Sequence, residues 1–523
     1  MRRHPLVVGI GAALVADAAA YAALPGFHAL LSRQHWILYA YVALMAGALG
    51  ALAAAAVPRL WAAEGTGPRP NAWTLFAACL ALYSLTSLGR IDSYDGEMMF
   101  RVTESLVERH SLVVRDEIFH ASEPYAIYGL APSLLAIPFY LVAKAAGADP
   151  RWAVSFANAL VTAATVALTY RLGRELGFPA RRGGALALVL AVGTLAWPYA
   201  RTFFSEPLVA LFLVAATLAA HRLRACARPA DAALLGAALG AAVLTREDSV
   251  IALPLYGAYL LYPGVDRRRF LATKLLTAGA VSGGALLALA AWYHAHRYGG
   301  VFASPLQQIG HTFDLAAGSI ANATYGQLLS SGKGLLFYAP IVSLALFGWP
   351  SFWRLARAEC LLFGGLALER VLFFSAWPRW DGGISWGPRF LVPIVPLLVL
   401  ASGYARPARW LAVALAALSV LVQLPGVALL YTDPLDAAMD GMQANLEQIY
   451  FVPRYSPILV GLRLLLEGSA RPFVPIADPA WRFPVHAALA AAAALLGRRF
   501  WLGVSSTCPP PPASQPGRTP ARR

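Results

Sequence analysis

The sequence predicts an all-α polytopic membrane protein of about 14 transmembrane helices, a number set by the length of apolar helix that a bilayer requires. Three observations predict this class. Hydrophobic residues make up 59% of the 523 residues and charged residues only 13%. The mean hydropathy of +0.58 is too high for a soluble protein of this size. The apolar runs are long, rich in Ala and Leu, and do not alternate with polar residues as membrane-spanning strands do.

The transmembrane helices are predicted from apolar runs that approach the roughly 20 residues needed to cross a hydrocarbon core. In chain order the runs are residues 6–27, 36–57, 72–88, 152–170, 184–200, 207–221, 231–245, 249–262, 271–292, 334–350, 360–376, 390–404, 410–431 and 484–500. The runs 231–245 and 249–262 are shorter than a usual span, so a hairpin held inside the bundle is the alternative for them.

Basic residues predict which side of the membrane each loop faces. With the N terminus in the cytoplasm, more than half of the 42 Lys and Arg residues fall in the termini and the inner loops, beside few of the 27 acidic residues. The positive-inside rule requires this asymmetry. The agreement holds only if the apolar segment Ala131–Gly147 lies along the membrane rather than crossing it. Residues 89–151, 293–333 and 432–483 are then the longest outer segments.

Nucleic-acid binding is not predicted. The net charge of +15 comes from basic residues scattered over many loops, and retention against anionic lipid explains it; no nucleic-acid recognition motif is present. The four Cys residues have no metal-ligand spacing. The chain is therefore predicted to be one membrane domain followed by a disordered, basic, Pro-rich tail at residues 505–523.

The first outer segment carries three acidic residues close together, Asp92, Asp95 and Glu97. Neighbouring carboxylates raise one another's pKa unless a cation or a proton lies between them, so a general base and a metal-ion site are both open here. The stretch Met98–Arg109 has apolar and charged residues on opposite faces and predicts an amphipathic helix at the membrane surface. The alternative is a solvated turn followed by a surface helix.

Two short outer turns place charged residues between apolar runs. Glu206 either favours the positive end of a helix capped by Ser205, or reaches the same cavity as Asp95 and orients a substrate hydroxyl. Arg246 either pairs with Glu247 or Asp248 or binds an anion in a polar cavity.

Lys333 lies in the Gly-rich segment Ser330–Gly334, just before an apolar run. Glycines allow close approach of the backbone, a helix start presents unpaired N–H groups, and the ammonium adds a full charge, so an anion site is predicted. The spacing is not that of a Walker motif. A plain Gly-rich start of a helix is the alternative.

The segment Ser375–Phe390 combines Trp residues with charge. The Trp residues, including Trp386, suit the membrane interface, but that role does not explain Arg389, which opens an apolar helix on the outer face. An arginine fork matches phosphate oxygens, and nearby aromatic rings commonly stack on sugars. Arg389 is therefore predicted to bind a phosphate, with Asp381 and Trp386 beside it.

Taken in order, the acidic segment with its surface helix, the Glu206 turn, Arg246, the Lys333 segment and the segment ending in Arg389 resemble the polytopic GT-C fold glycosyltransferases. The chain is similar to protein mannosyltransferases and lipid A aminoarabinose transferases over roughly residues 72–404. The domains implied are two leading transmembrane helices at 1–71, a catalytic membrane core at 72–404, and C-terminal transmembrane helices with an outer loop at 405–504.

The resemblance also implies a reaction. Such enzymes take a sugar from a polyprenyl phosphate in the membrane and pass it, with inversion, to a lipid, glycan or protein acceptor on the outer side. An acid just after the first helix of the fold acts as base. Asp95 matches it best, but Gly96 separates Asp95 from Glu97 where the family has an acidic pair, so Asp92 stays a candidate. A bacterial inner-membrane protein with cytoplasmic termini and an outward-facing active site is implied.

Chemistry assigns roles to these candidates. A positioned carboxylate accelerates attack by a sugar hydroxyl typically 100- to 10,000-fold, and cations beside a departing phosphate stabilise the transition state more than the ground state. The candidate catalytic residues are Asp95, Asp92 and Glu206. The candidate substrate-binding and phosphate-binding residues are Arg389, Lys333, Arg246, Glu97, Trp386 and Asp381. Because cations can replace a metal here, no cofactor is expected, and a divalent metal at the acids is possible but not obligatory.

Two other classes of function share a lipid-linked sugar. A transporter or flippase needs outer cations as well, but is expected to show broken helices near mid-membrane and charges reachable from both sides. A glycan ligase or polymerase uses the same donor and differs mainly in acceptor size. The sequence has no clear internal repeat, which disfavours a transporter.

Overall fold

The computed structural model describes residues 71–114, 124–263, 273–303, 313, 315–467 and 479–505. The α-helices are α1 (Ala72–Leu85), α2 (Tyr94–Arg109), α3 (Leu130–Ala145), α4 (Pro150–Val154), α5 (Ala157–Glu175), α6 (Ala180–Val192), α7 (Ala196–Ala200), α8 (Glu206–Cys226), α9 (Pro229–Thr245), α10 (Ala252–Leu261), α11 (Thr273–Tyr298), α12 (Ala317–Leu329), α13 (Leu335–Tyr338), α14 (Ser343–Leu355), α15 (Arg357–Ser375), α16 (Val395–Ser402), α17 (Arg409–Ala428), α18 (Asp433–Asp436), α19 (Leu446–Phe451), α20 (Pro457–Leu466) and α21 (Pro479–Ser505). The shorter helical turns are Glu247–Ile251, Pro340–Val342, Arg389–Ile394, Ala437–Gly441 and Pro453–Tyr455. No β-strand occurs in these ranges, and the all-α prediction is confirmed.

The predicted transmembrane runs from residue 72 onward each coincide with helix. The runs 6–27 and 36–57 and the tail beyond Ser505 lie outside the described residues, so the number of about 14 spans stays a prediction. Four described stretches are long and apolar enough to cross a membrane: Pro150–Glu175, Glu206–Cys226, Lys274–Tyr298 and Arg409–Ala428. Several shorter apolar helices accompany them, and the protein is an integral membrane protein.

Some of the predicted runs are broken into shorter helices. Proline lacks an N–H group and clashes with the preceding turn, and α13 accordingly ends just before Pro340. Side chains of α17 satisfy the backbone at this break: Ser419 accepts a hydrogen bond from the Ile341 amide at 2.9 Å, and Gln423 donates to the Tyr338 carbonyl. Because these groups have partners, the break is stable inside an apolar bundle.

Helices α5 and α8 form the centre of the bundle. They pack against each other, α1 packs between α5 and α21, and α9 packs along α11. The last pair is very close at Gly236, where a Cβ atom would lie 2.2 Å from the Gly279 carbonyl oxygen. Only glycine permits this distance, and close packing of small residues is a usual way to join helices in a membrane.

The predicted amphipathic helix is present as α2, and α3 packs against it; its location at the membrane surface stays a prediction. The Thr103 hydroxyl donates to the Ser133 carbonyl at 3.0 Å, and the Ser133 hydroxyl donates to the Met99 carbonyl at 2.8 Å. The helix α3 contains the segment Ala131–Gly147 up to Ala145. These bonds join the middle of α2, whose first turn carries Asp95 and Glu97, to α3.

Candidate active site

The site begins at the first turn of α2. Ser93 caps this helix by accepting a hydrogen bond from the Gly96 amide at 3.1 Å, so Asp95 lies in the first turn, where a helix favours negative charge. A Cβ atom at Gly96 would lie 2.8 Å from the Phe203 carbonyl oxygen. Glycine at this position therefore lets the start of α2 lie directly against the turn that precedes Glu206.

Arg389 joins the two acids that the sequence placed far apart. Its Nη1 lies 2.9 Å from Oδ2 of Asp95, and its Nε lies 3.6 Å from Oε1 of Glu206. The Arg389 and Asp95 side chains are 14% and 17% exposed, and that of Glu206 is 1% exposed. The prediction that Asp95, Glu206 and Arg389 lie at one site agrees with this geometry.

Arg246 extends the network from Glu206 to the end of α9. Its Nη1 donates to Oε1 of Glu206 at 2.9 Å, and its Nε donates to Oδ1 of Asp248 at 3.0 Å. Arg370, on α15, pairs with the other Asp248 oxygen. Arg246 therefore pairs with Asp248, as one of the two sequence readings has it, and it also contacts Glu206 at the candidate site.

The charges of this network alternate, and some of its polar atoms stay without partners. Three carboxylates, those of Asp95, Glu206 and Asp248, face the guanidinium groups of Arg389, Arg246 and Arg370. Among the described residues, Oε2 of Glu206 and Nε of Arg389 are buried without a hydrogen-bond partner. Buried polar atoms normally have partners, so these two lack the hydrogen bonds that such atoms usually make.

Aromatic rings enclose the cations. The Arg389 guanidinium lies 5.1 Å from the ring centre of Phe204 and 5.0 Å from that of Phe390, and Phe390 stacks on Phe374 at 4.0 Å. The Arg246 guanidinium lies 5.2 Å from Phe390. These rings exclude water, which strengthens the ion pairs and any contact made to an incoming anion.

Sequence reasoning missed Tyr128, which lies beside Asp95 in the loop before α3. Burial and the Asp95 carboxylate raise the pKa of Tyr128, so it is a neutral hydrogen-bond donor. Arg297 of α11 holds this loop by donating to the Ala126 and Tyr128 carbonyls, each at 3.1 Å. Arg370 was missed as well. Neither residue belongs to a motif, and only the packing of helices brings them to the site.

Asp92 lies apart from the ion pairs. Its backbone carbonyl accepts from the Tyr431 hydroxyl at 2.8 Å, whereas both carboxylate oxygens are buried without a hydrogen-bond partner among the described residues. Burial raises the pKa of Asp92 to about 6, although Arg201 and Arg90 act in the opposite direction. Of the two candidate bases, only Asp95 contacts Arg389.

Glu97 turns away from the candidate site. Its carboxylate pairs with Arg101 at 3.1 Å and with Arg151 at 3.0 Å. The three acids of the first outer segment therefore do not converge on one point. In the part of the chain that the structure describes, no group of three or more His, Cys, Asp or Glu side chains is arranged to hold a metal ion.

Lys333 and Asp381 contact the loop that leads to Arg389. The Lys333 ammonium donates to the Gly383 carbonyl at 2.8 Å and to the Ser385 carbonyl at 3.1 Å, and burial lowers the pKa of Lys333 to about 7. Asp381 accepts from the Gly383 amide at 3.0 Å and from the Tyr450 hydroxyl at 2.8 Å. Both residues hold the loop, and neither contacts the Asp95 to Asp248 network.

Trp386 is buried in the same loop rather than set at the membrane interface. It is 3% exposed, and its ring lies edge-on to Tyr338 at 5.2 Å. Its carbonyl accepts from the Tyr199 hydroxyl at 3.1 Å. The indole Nε1 is buried without a hydrogen-bond partner among the described residues.

Comparison with known proteins supports the resemblance noted in the sequence. Residues 133–294 match the family described as dolichyl-phosphate-mannose-protein mannosyltransferase, which confirms that resemblance. A search of curated proteins found no match. Solved structures similar to this chain include ArnT of Cupriavidus metallidurans in the apo state, with 17% sequence identity, 83% of this chain and 75% of that chain covered, and a TM-score of 0.48. The apo oligosaccharyltransferase of Archaeoglobus fulgidus is also similar, with 15% identity, 84% and 56% covered, and a TM-score of 0.42.

Proposed function

We propose that this chain, a membrane glycosyltransferase that uses a lipid-linked sugar, transfers the sugar of a polyprenyl phosphate to a hydroxyl acceptor with inversion. The reaction takes place at the outer face of a bacterial inner membrane. The observation that carries this proposal is the contact of Arg389 with both Asp95 and Glu206. It joins a carboxylate able to accept a proton to a cation able to bind a phosphate.

Asp95 is the general base of this reaction. Its carboxylate takes the proton of the acceptor hydroxyl while that oxygen attacks the anomeric carbon, and the bond from this carbon to the phosphate oxygen breaks. A carboxylate that removes a proton, rather than attacking the sugar itself, gives a single displacement. The new bond forms on the face opposite the leaving group, and the configuration inverts.

Arg389 binds the departing phosphate, with Arg246 behind it. The guanidinium fork suits phosphate oxygens, and negative charge grows on the phosphate as the bond breaks, so the cation stabilises the transition state. Before the donor arrives, Arg389 is paired with Asp95. A donor phosphate that takes over this guanidinium releases Asp95 for the acceptor hydroxyl, which couples donor binding to the availability of the base.

Glu206 and Tyr128 orient the reacting groups. The Glu206 oxygen Oε1 contacts Arg246 and Arg389, whereas Oε2 has no hydrogen-bond partner among the described residues. Oε2 can therefore accept a hydrogen bond from a sugar hydroxyl. Lys333 positions the Arg389 loop, to which its ammonium is bound. Because arginines already face the acids of the site, the reaction needs no obligatory divalent metal, and EDTA leaves it running.

The test compares Asp95→Asn with Asp92→Asn and with Asp440→Asn, an exposed control. Membrane vesicles containing each full-length variant are given radiolabelled mannosyl-, glucosyl- or galactosyl-phosphoryl polyprenol, and label is followed from donor to product. We expect Asp95→Asn to lower the rate about 100-fold or more while it still binds donor, and Asp440→Asn to keep the wild-type rate. Full transfer by Asp95→Asn would refute the assigned base. Sugar that crosses the membrane without bond formation would instead indicate a transporter.

A further inference from the structure

A small cavity that several polar side chains line adjoins the candidate active site at Phe204. It is lined by Asp92, Tyr199, Thr202, Phe204, Trp386 and Tyr431, among others. The Phe204 ring belongs to both the cavity and the candidate active site, because the Arg389 guanidinium lies 5.1 Å from its ring centre. The cavity measures about 280 Å³ with its open mouth included, but its interior has room for about one water-sized group. A whole sugar ring does not fit, whereas a single substituent of one does.

Two polar groups of this cavity have no partner among the described residues. Both carboxylate oxygens of Asp92 and the indole Nε1 of Trp386 are buried without a hydrogen bond, and Trp386 is 3% exposed. Gly426 keeps the indole uncovered, since a Cβ atom there would lie 2.6 Å from Nε1. The Tyr431 hydroxyl fixes the backbone of Asp92 at 2.8 Å. These groups are thus held in place, and they are buried without the hydrogen bonds that such groups normally make.

The donor and acceptors of the cavity match a hydroxyl group. A hydroxyl both accepts and donates a hydrogen bond. Its oxygen can accept a hydrogen bond from the indole N–H while the hydroxyl donates one to the Asp92 carboxylate. An ammonium group has no acceptor and would leave the indole N–H unpaired. Arg201, which also lines the cavity, opposes a second cation.

We propose that this cavity is a subsite for one hydroxyl group of a neutral sugar, held between the Asp92 carboxylate and the Trp386 indole. The inference rests on the proposed function, because a sugar whose phosphate lies on Arg389 would lie against Phe204, within reach of the cavity. It selects sugars that carry a hydroxyl at that ring position over sugars that carry an amino group there. A water molecule offers the same chemistry, and the experiment separates the two sources.

The test measures Kd by calorimetry on the purified full-length protein in detergent. The probes are undecaprenyl phosphate alone and undecaprenyl phosphates bearing mannose, glucose, galactose or 4-amino-4-deoxyarabinose. Trp386→Phe keeps an aromatic ring and removes the N–H group, and Trp410→Phe is the matched control, because Trp410 is 71% exposed. We expect Trp386→Phe and Asp92→Asn each to weaken the tightest neutral sugar lipid about 3- to 10-fold, with undecaprenyl phosphate alone and the control unchanged.

Three results would overturn the inference. Unchanged affinity for every neutral sugar lipid means that the cavity holds water only. An equal loss for undecaprenyl phosphate alone means that the variants damage the fold. If the amino sugar lipid binds more tightly than the neutral sugar lipids, and Asp92→Asn abolishes this preference, the cavity selects a cation. Arg389→Ala is measured alongside: if it leaves the affinity for undecaprenyl phosphate unchanged, the proposed phosphate site fails, whatever the Trp386 variant does.

Discussion

At the scale of single residues, the site is a set of buried carboxylates that differ in whether an arginine contacts them. Asp95, Glu206 and Asp248 each contact an arginine. Unpaired buried charge is strongly unfavourable, and arginine suits such pairs because it stays charged and forms a planar fork. Asp92 is the exception, since its carboxylate oxygens lie buried without a hydrogen bond among the described residues. Its ionisation is therefore expected to affect stability directly.

Asp92→Asn should stabilise the protein at neutral pH. Burial raises the pKa of Asp92 from 3.8 to about 6, so between these values the folded protein holds a proton that the unfolded chain releases. The contribution of Asp92 to the free energy of unfolding is then fully present below about pH 4 and is lost as pH rises through 6. We expect the variant to be more stable than the wild type by on the order of 1 to 3 kcal/mol near pH 7.5, and equally stable near pH 4.

Thermal unfolding in detergent at these two pH values measures the effect. Asp440→Asn serves as the control, because Asp440 is exposed. A wild type that is at least as stable as Asp92→Asn near pH 7.5 would show that the Asp92 carboxylate has a compensating partner in the folded protein.

At the scale of elements, the site lies where helices start or break. Asp95 occupies the first turn of α2, Glu206 opens α8, and Arg389 opens the 3-10 turn before α16. A regular helix crossing the bundle satisfies its backbone internally, whereas its ends present polar groups and bring charged side chains together. Long, closely packed pairs such as α9 and α11 supply the rigid frame that holds these ends in place.

Gly236→Ala should separate α9 from α11. The added methyl group would lie 2.2 Å from the Gly279 carbonyl oxygen, which is backbone and cannot rotate away, so we expect a loss of about 1 to 3 kcal/mol in the free energy of unfolding. Gly284→Ala is the matched control on α11, because a Cβ atom there meets nothing within 4 Å. Thermal unfolding of both variants in detergent is the measurement, and similar midpoints for the two would contradict the close packing of α9 on α11.

At the scale of the whole molecule, polar clusters lie at both ends of the bundle. Helix α8 has 21 residues and is therefore roughly 30 Å long, close to the thickness of a hydrocarbon core. Glu206 begins it, and Arg222, which pairs with Glu175, lies near its other end. Helix α15 has Arg370 at the end of the bundle where Glu206 lies. At the opposite end, Glu359 of α15 contacts His221 of α8 at 3.1 Å. The apolar lengths of both helices separate the two clusters.

Cysteine labelling tests which cluster faces outward. In spheroplasts, a membrane-impermeant maleimide should modify Glu447→Cys, since Glu447 is exposed in the segment that follows α18. The natural Cys226 is exposed at the end of α8 and should react only after the membrane is permeabilised, because the basic loops are expected inside. Peptide mass spectrometry identifies the modified position. Modification of Cys226 in intact spheroplasts would reverse the proposed orientation.

The sequence by itself determined the membrane class, the apolar runs from residue 72 onward that coincide with helix, and the segments that supply the site. These properties are local. A bilayer requires about 20 apolar residues for each helix, so composition along the chain marks the spans, and Asp95, Glu206, Arg246 and Arg389 stand out because charge is rare beside such runs. The family resemblance came from the order of the same segments.

Only the tertiary structure decided which charges meet. Asp95 contacts Arg389, whereas Glu97 and Asp92, close to Asp95 in the chain, point to other partners or to none among the described residues. Lys333, for which the sequence predicts anion binding, donates to the carbonyls of the loop before Arg389. Contacts between residues hundreds of positions apart depend on how helices pack and on glycines such as Gly96 that allow close approach. Spacing along the chain carries no record of that distance in space.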